Sequence, residues 1–238
     1  GVQTCALPIS TGEIDYEGFM EMTTSASPSV GHCNTMGTAL SMNALAEALG
    51  MSLPTCASIP APYRERGQMA YMTGKRICEM VLEDLRPSKI MTKQSFENAI
   101  AVASALGASS NCPPHLIAIA RHMGIELSLE DWQRVGENIP LIVNCMPAGK
   151  YLGEGFHRAG GVPAVLHELQ KAGVLHEDCA SVSGKTIGEI AKNAKTSNAD
   201  VIFPYEQPLK HGAGFIVLSG NFFDSAIMKM SVVGEAFK

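Results

Sequence analysis

Gly31-His32-Cys33-Asn34-Thr35-Met36-Gly37-Thr38-Ala39 places a cysteine in a turn of small and polar residues, directly ahead of an apolar run at helical spacing. Met36, Leu40, Leu45 and Leu49 recur every four or five residues, and Gly50 supplies a stop, so the pattern predicts a helix opening at this turn. A thiol there can bind a metal cluster, because the backbone around it is unobstructed and the first amides of a helix face any anion beside them. One cysteine completes neither a cluster nor a zinc site. Any partners of Cys33 in such a site lie outside the chain or far apart within it.

On the N-terminal side, Ser10 or Thr11 can cap a helix carrying Ile14, Phe19 and Met20, broken by Ser27-Pro28-Ser29. Residues 1–9 do not connect naturally to the helical text after them. They read as non-native read-through, which leaves Cys5 without a role. On the C-terminal side, Leu53–Ile59 reads as a short extended segment, and Tyr63 to Leu85 as a long amphipathic helix ended by Pro87. Thr92 caps a helix with Phe96, Ile100 and Leu106 on one face and Gly107 at its end. Residues 108–114 form a polar turn feeding a helix through Met123, and Ser128–Asp131 caps a short one. Ile139–Asn144 is an apolar run of strand length, with helices expected after it at 150–158 and 162–172.

The character changes after residue 184. A short helix over Thr186–Ala194 is followed by Val201–Phe203, Gly214–Leu218 and Ala226–Val233, which read as strands between Pro, Gly and Asn turns. The expected class is α/β: a helix-dominated domain over 10–184, then a linker and the opening strands of a β domain over 185–238.

The 238 residues are 46% hydrophobic and 17% charged, enough for a sizeable core and too apolar for disorder. The net charge of −5, with no basic run, argues against nucleic acid as a partner. No apolar run approaches the ~20 residues needed to span a bilayer, and no secretory signal is visible. Seven widely spaced cysteines without a Cys-x-x-Cys pair fit a reduced, cytoplasmic protein better than a disulfide framework or a zinc ribbon. Cys56, Cys78, Cys112, Cys145 and Cys179 are read as core or turn residues, and Met69, Met72 and Met80 as packing.

The tract from Gly31 to Ala39, together with Met42-Asn-Ala-Leu-Ala-Glu-Ala-Leu-Gly50, resembles the dihydroxy-acid and sugar-acid dehydratase family. Ile59-Pro-Ala-Pro-Tyr-Arg-Glu-Arg-Gly-Gln68 is most similar to its sugar-acid branch, the arabinonate and xylonate dehydratases. Ser109-Ser-Asn111, Pro147-Ala-Gly-Lys-Tyr151, His157 to Leu166, Gly184-Lys-Thr186 and Leu218-Ser-Gly-Asn221 agree in order. The resemblance places the chain as an internal fragment: the later part of a helix-rich N-terminal α/β domain and the first strands of an incomplete C-terminal β-barrel. It implies a hydro-lyase acting on a sugar acid, an iron–sulfur cluster (2Fe-2S or 4Fe-4S) and Mg²⁺. It also implies a homodimer or homotetramer as the full-length protein. Cys33 matches the third cluster cysteine. The other two cysteines, most Mg²⁺ ligands and the catalytic base lie outside the chain, so no catalytic residue is assigned and the fragment alone is expected to be inactive.

His32, Asn34 and Thr35 flank the ligand and can line the site, although turn formation and helix capping account for Asn and Thr equally well. Ser110 and Asn111 can contact substrate or cluster; capping of the helix over 113–123 is the preferred reading. Arg64, Arg66 and Lys75 can hold a carboxylate but read as a solvated helix face. Lys150 and His157 receive no role. The competing functions are a dihydroxy-acid dehydratase of branched-chain amino acid synthesis, a non-enzymatic iron–sulfur protein, and a cysteine hydrolase pairing Cys33 with a histidine.

Overall fold

The alanine-rich run Ala99-Ile-Ala-Val-Ala-Ser-Ala-Leu106 forms the centre of the molecule. In the computed structural model, which describes residues 9–25 and 30–234, these residues lie on a helix buried along nearly its whole length. Small side chains let neighbouring helices approach closely, and the core assembles around them. In chain order the helices are α1 (Tyr16–Ser25), α2 (Thr38–Ala48), α3 (Arg64–Leu82), α4 (Pro87–Ile90) and α5 (Lys93–Leu106). They continue with α6 (Cys112–His122), α7 (Leu129–Gly136), α8 (Gly153–Arg158), α9 (Gly161–Lys171) and α10 (Ile187–Lys192). Helix α5 packs against α2, α6, α7 and α9, and α10 lies on α9. The buried Asn98 on α5 is satisfied by backbone: His176 N donates to its Oδ1 (2.8 Å) and its Nδ2 donates to His176 O (3.0 Å).

Local signals set most helix ends. Thr92 and Ser95 form a reciprocal capping box on α5, Thr186 and Glu189 another on α10, and Ser128 and Asp131 a third on α7. Gly107 closes α5 at φ 58°, a left-handed conformation that glycine adopts without a Cβ clash. Two strands, β1 (Phe215–Leu218) and β2 (Ala226–Lys229), pair antiparallel with Phe215 opposite Lys229 and Leu218 opposite Ala226. The architecture is helix-rich with this one small sheet among the described residues, consistent with α/β. The hairpin docks on α7, where Trp132 and Phe215 meet edge to face at 5.1 Å.

Several expected elements differ. The helix carrying Phe19 and Met20 begins at Tyr16, leaving Ile14 outside it, and Asp15 Oδ1 accepts from Gly18 N (2.8 Å). Residues 1–8, with Cys5, and residues 26–29, with the Ser27-Pro28-Ser29 break, lie outside the described residues. The expected helix at 150–158 starts at Gly153, because Asn144 takes the amides of Lys150 and Tyr151. Ile139–Asn144 and Val201–Phe203 are not regular strands but make single antiparallel bridges, Leu141 with Lys210 and Val143 with Ile202. Two amides of the first run, those of Ile142 and Val143, go instead to Ala105 O at the end of α5. After β2 the backbone turns into a 3₁₀ turn, Met230–Val232, whose carbonyl side Lys210 Nζ bonds at Met230, Ser231 and Val233.

Leu53–Ile59 is not extended either. Thr55 is left-handed (φ 72°) and Cys56–Ser58 is a 3₁₀ turn. The cause is Glu47 of α2: its buried carboxylate accepts from Thr55 N (2.6 Å) and Ala57 N (2.9 Å). Burial pushes this carboxyl up to about 7 from its ordinary 4.5, against the two backbone hydrogen bonds. Between those values the folded protein holds a proton that the unfolded chain has released. The Glu47 contribution to stability is therefore fully present below pH 4.5 and falls as pH rises through 7. Glu47→Gln is expected to flatten that part of the stability curve by up to about 3 kcal/mol. Urea midpoints between about pH 5 and 7.5 check this; an unchanged slope would show that Glu47 does not titrate on folding.

Candidate functional site

The Cys33 turn is pinned from three directions. A Cβ at Gly31 (φ 99°) would lie 2.8 Å from Ala61 Cβ, so the turn rests directly on the Pro60-Ala61-Pro62 segment. Asn34 is buried and left-handed (φ 63°), and its N–H donates to His32 Nδ1 (3.0 Å). Asn34 O accepts from Gly153 N (2.6 Å) at the start of α8, and Met36 N donates to Met146 O (2.7 Å). A Cβ on Gly153 would stand 2.7 Å from Asn34 Oδ1, so only glycine permits this approach. The result is a thiol pushed outward: Cys33 is exposed, just ahead of α2, and its Sγ shares a hydrogen bond with Thr35 Oγ1 (3.1 Å). The hydrogen bonds from the Thr35 side chain and backbone hold the thiol below its ordinary value, outweighing the modest desolvation.

The Ser109–Asn111 turn arrives at the same end of α2. Asn111 Nδ2 donates to Thr38 Oγ1 (2.8 Å), Thr38 Oγ1 shares a hydrogen bond with Ser109 Oγ (3.0 Å), and Ser109 N donates to Ser41 Oγ (3.0 Å). Asn111 stands at the N-cap position of α6 but makes no side-chain cap, which corrects the capping reading: its amide reaches across to α2. Ser110 is exposed at the tip of the turn. The structure thus brings His32, Cys33, Asn34 and Thr35 to one end of α2 and Ser109 and Asn111 onto its first turn, while Ser110 makes no contact with α2 through its exposed tip. Thr38 and Ser41, which join the two turns, carry no motif that marks them in the sequence. Their i, i+3 hydroxyls on one helical face are the signal that could have found them.

A polar wall flanks the cysteine turn. The Tyr63 hydroxyl donates to Glu154 Oε1, while Arg158 Nη2 donates to both Tyr63 Oη (2.9 Å) and Glu154 Oε1 (2.7 Å). His157 packs edge-on against Tyr63, and its Nδ1 lies 3.3 Å from Ser58 Oγ. Burial, then the Arg66 guanidinium, hold His32 below its ordinary value, and burial does the same for His157. Arg66 is not a solvated residue: it donates to Ile59 O and to Cys56 Sγ (3.6 Å), tying α3 to the turn before it. Arg64 and Lys75 are exposed, as the solvated-face reading has it. Lys150 Nζ lies 5.8 Å from the Tyr151 ring centroid.

The other cysteines divide by burial. Cys112 and Cys145 are buried and pushed up to about 12 by desolvation, and burial also raises Cys179. Cys56 sits in the 3₁₀ turn. Cys78 and Met72 correct the packing reading, since both are exposed on α3. Among the described residues no three His, Cys, Asp or Glu side chains converge as a ligand set. The hydrogen-bond partner of the Cys33 thiol is Thr35 rather than a histidine, which gives a hydrolase dyad no support.

The family described as dihydroxy-acid/6-phosphogluconate dehydratase, N-terminal, matches residues 3–190. A D-xylonate dehydratase of Caulobacter vibrioides is 59% identical over 230 residues, covering 97% of this chain and 38% of that protein. An L-arabinonate dehydratase of Rhizobium leguminosarum is 50% identical, covering 94% of the chain and 39% of that protein. A dihydroxy-acid dehydratase of Caldanaerobacter subterraneus is 43% identical, covering 94% and 41%. The chain therefore spans about two fifths of the length of these relatives.

Proposed function

The chain belongs to the dihydroxy-acid/6-phosphogluconate dehydratase family, and from that premise we propose that it is part of an iron–sulfur hydro-lyase. The reaction we assign to the whole protein is dehydration of a sugar acid, a 2,3-dihydroxy acid, to a 2-keto-3-deoxy acid. Residues 10–184 would form part of its N-terminal α/β domain and residues 185–238 the linker and first strands of a C-terminal β-barrel. The β1–β2 hairpin and the end of the family match at residue 190 support that division. The whole protein would be a cytoplasmic homodimer or homotetramer. Free cysteines support the reduced compartment. Among the described residues no helix is long and apolar enough to cross a membrane.

The observation that carries the proposal is the convergence on α2 of the exposed Cys33 thiol and the Ser109–Asn111 turn beside a wall of hydroxyl, carboxylate and guanidinium groups. Cys33 fits as one ligand of a cluster: it is exposed, its thiolate form is favoured, and its turn is fixed by backbone contacts. When bound, a three-thiolate cluster with an open iron site, together with Mg²⁺, supplies Lewis acids for the departing hydroxide and the developing enolate charge. The chain's own contribution is placement. Thr35 stabilises the thiolate, and Asn34 and Gly153 hold its turn against α8. Thr38, Ser109 and Asn111 hold their turn within reach of a bound anion at the start of α2. Tyr63, Glu154 and Arg158 offer hydrogen bonds suited to a polyhydroxylated chain and poorly suited to a branched aliphatic one.

A dihydroxy-acid dehydratase of branched-chain amino acid synthesis is the alternative that the 43% identical relative keeps in view. A full-length protein carrying this segment, assayed on xylonate, arabinonate and dihydroxyisovalerate, separates the two. Turnover is expected on a sugar acid; turnover of dihydroxyisovalerate alone would overturn the sugar-acid reading.

A further inference from the structure

Strand β2 carries a lysine on the side of the hairpin that faces the protein. Residues directly opposite one another in an antiparallel pair project to the same face, and Lys229 stands opposite Phe215, which is buried against Trp132. Ile227, two residues before Lys229, shares that face and packs on the core, while Met228 between them is exposed. Two residues after Lys229, the buried Ser231 Oγ stands 3.2 Å from where a Cβ on Gly107 would be. The end of β2 therefore lies at the close of α5, where the chain enters the Ser109–Asn111 turn. Lys229 is half-buried there, and its ammonium and the Cys112 thiol are close enough to act on one another electrostatically. Cys112 opens α6 directly after that turn, and its thiol bonds Ser41 on α2.

We propose that Lys229 binds the carboxylate of the acid substrate beside the Ser109–Asn111 turn. This rests on the dehydratase reading given above and names a binding residue for it. A half-buried ammonium needs a counter-charge, and among the described residues Lys229 has neither a paired carboxylate nor a hydrogen-bond acceptor. The Cys112 thiol does not supply the charge: desolvation pushes it up to about 12, so near neutral pH it keeps its proton. Burial in turn holds the Lys229 ammonium below its ordinary value. The fold does satisfy a lysine nearby, since Lys210 gives its ammonium to the carbonyls of Met230 (3.3 Å), Ser231 (3.4 Å) and Val233 (3.0 Å). Lys229 is left uncommitted. Both guanidinium groups beside the cysteine turn are already engaged, Arg158 by Glu154 (2.7 Å) and Arg66 by Ile59 O and Cys56 Sγ. A sugar acid and a branched dihydroxy acid each carry one carboxylate, which calls for a cation that the polar wall does not spare. A carboxylate from the rest of the full-length protein would instead make Lys229 half of a structural pair, and the two occupants differ in what they do to the free enzyme.

In a full-length protein carrying this segment, Lys229→Met is expected to raise KM for xylonate or arabinonate by about 10- to 100-fold, with kcat, iron content and circular dichroism unchanged. Lys229→Arg keeps the charge and is expected to recover part of that loss. Acylation by an amine-reactive acetyl donor, read at Lys229 by mass spectrometry on the wild type, needs neither turnover nor a variant that folds. The free enzyme is expected to label there, and xylonate or arabinonate at ten times its Kd should suppress the labelling about 10-fold. A KM unmoved by Lys229→Met, or labelling that ignores the acid, would overturn the inference and leave the dehydratase reading standing. Low labelling of the free enzyme would show that a carboxylate of the protein itself holds Lys229, and would overturn it as well. A wild type that dehydrates none of xylonate, arabinonate and dihydroxyisovalerate would overturn the dehydratase reading, while the labelling still reports whether Lys229 meets the acid.

Discussion

Cys33→Ser, made in a full-length protein carrying this segment, is expected to strip the iron and abolish dehydration while leaving the fold intact. A serine hydroxyl is not deprotonated near neutral pH and is a hard ligand where a soft thiolate is needed. The thiol is exposed and its hydrogen-bond partner is Thr35, so the stability change should stay within about 0.5 kcal/mol. Activity should fall by more than the ~100-fold that substitution of an outer-shell partner typically produces. Thr35→Val, which keeps the shape and removes the hydroxyl, should fall within that smaller range, about 10-fold. Iron content, the visible spectrum and turnover are the readouts. A serine variant that retains its iron would show that Cys33 is not a ligand.

Trp132→Ala is expected to cost about 4 kcal/mol and to lower the melting temperature by roughly 10 °C in a chain of this size. Trp132 is fully buried on α7 and is one of the contacts through which the β1–β2 hairpin docks, its ring edge-on to Phe215. The approach is close elsewhere as well: a Cβ on Gly214 would fall 2.0 Å from Gly136 O, so the hairpin cannot slide to fill the void. Trp132→Phe separates ring from indole. It keeps the aromatic contact and removes a buried Nε1–H that has no acceptor among the described residues, so it should cost less than about 1.5 kcal/mol. Thermal melts followed by circular dichroism decide the matter. Equal losses for the two variants would place the stabilisation in the indole nitrogen rather than the packed ring.

Helices were legible from sequence where their ends carry local chemistry. Thr92 with Ser95, Thr186 with Glu189 and the glycine at 107 announce boundaries that depend on residues three or four apart. The failures share the opposite property. The 53–59 segment turns because of a carboxylate on α2, eight to ten residues earlier. Ile139–Val143 looks like a strand but finds two different partners more than fifty residues on, and gives other amides to α5. At the candidate site the cysteine turn could be read directly, because a small-residue bend before an amphipathic helix is a local signal. The docking of Asn111 on Thr38, 73 residues away, could not. The inward placement of Lys229 was hidden for another reason: alternation gives a strand two faces without saying which one the fold covers.

The crowding around α5 divides the molecule into parts with unequal room for change. Ala99, Ala101, Ala103 and Ala105 are fully buried, so an added methylene there has to be accommodated by shifting side chains or backbone around it. Tyr63, Glu154 and Arg158 of the polar wall stand outside that core, half-buried or exposed. Substitutions at Tyr63, Glu154 or Arg158 should therefore leave the fold standing where enlargement of the alanine spine would not.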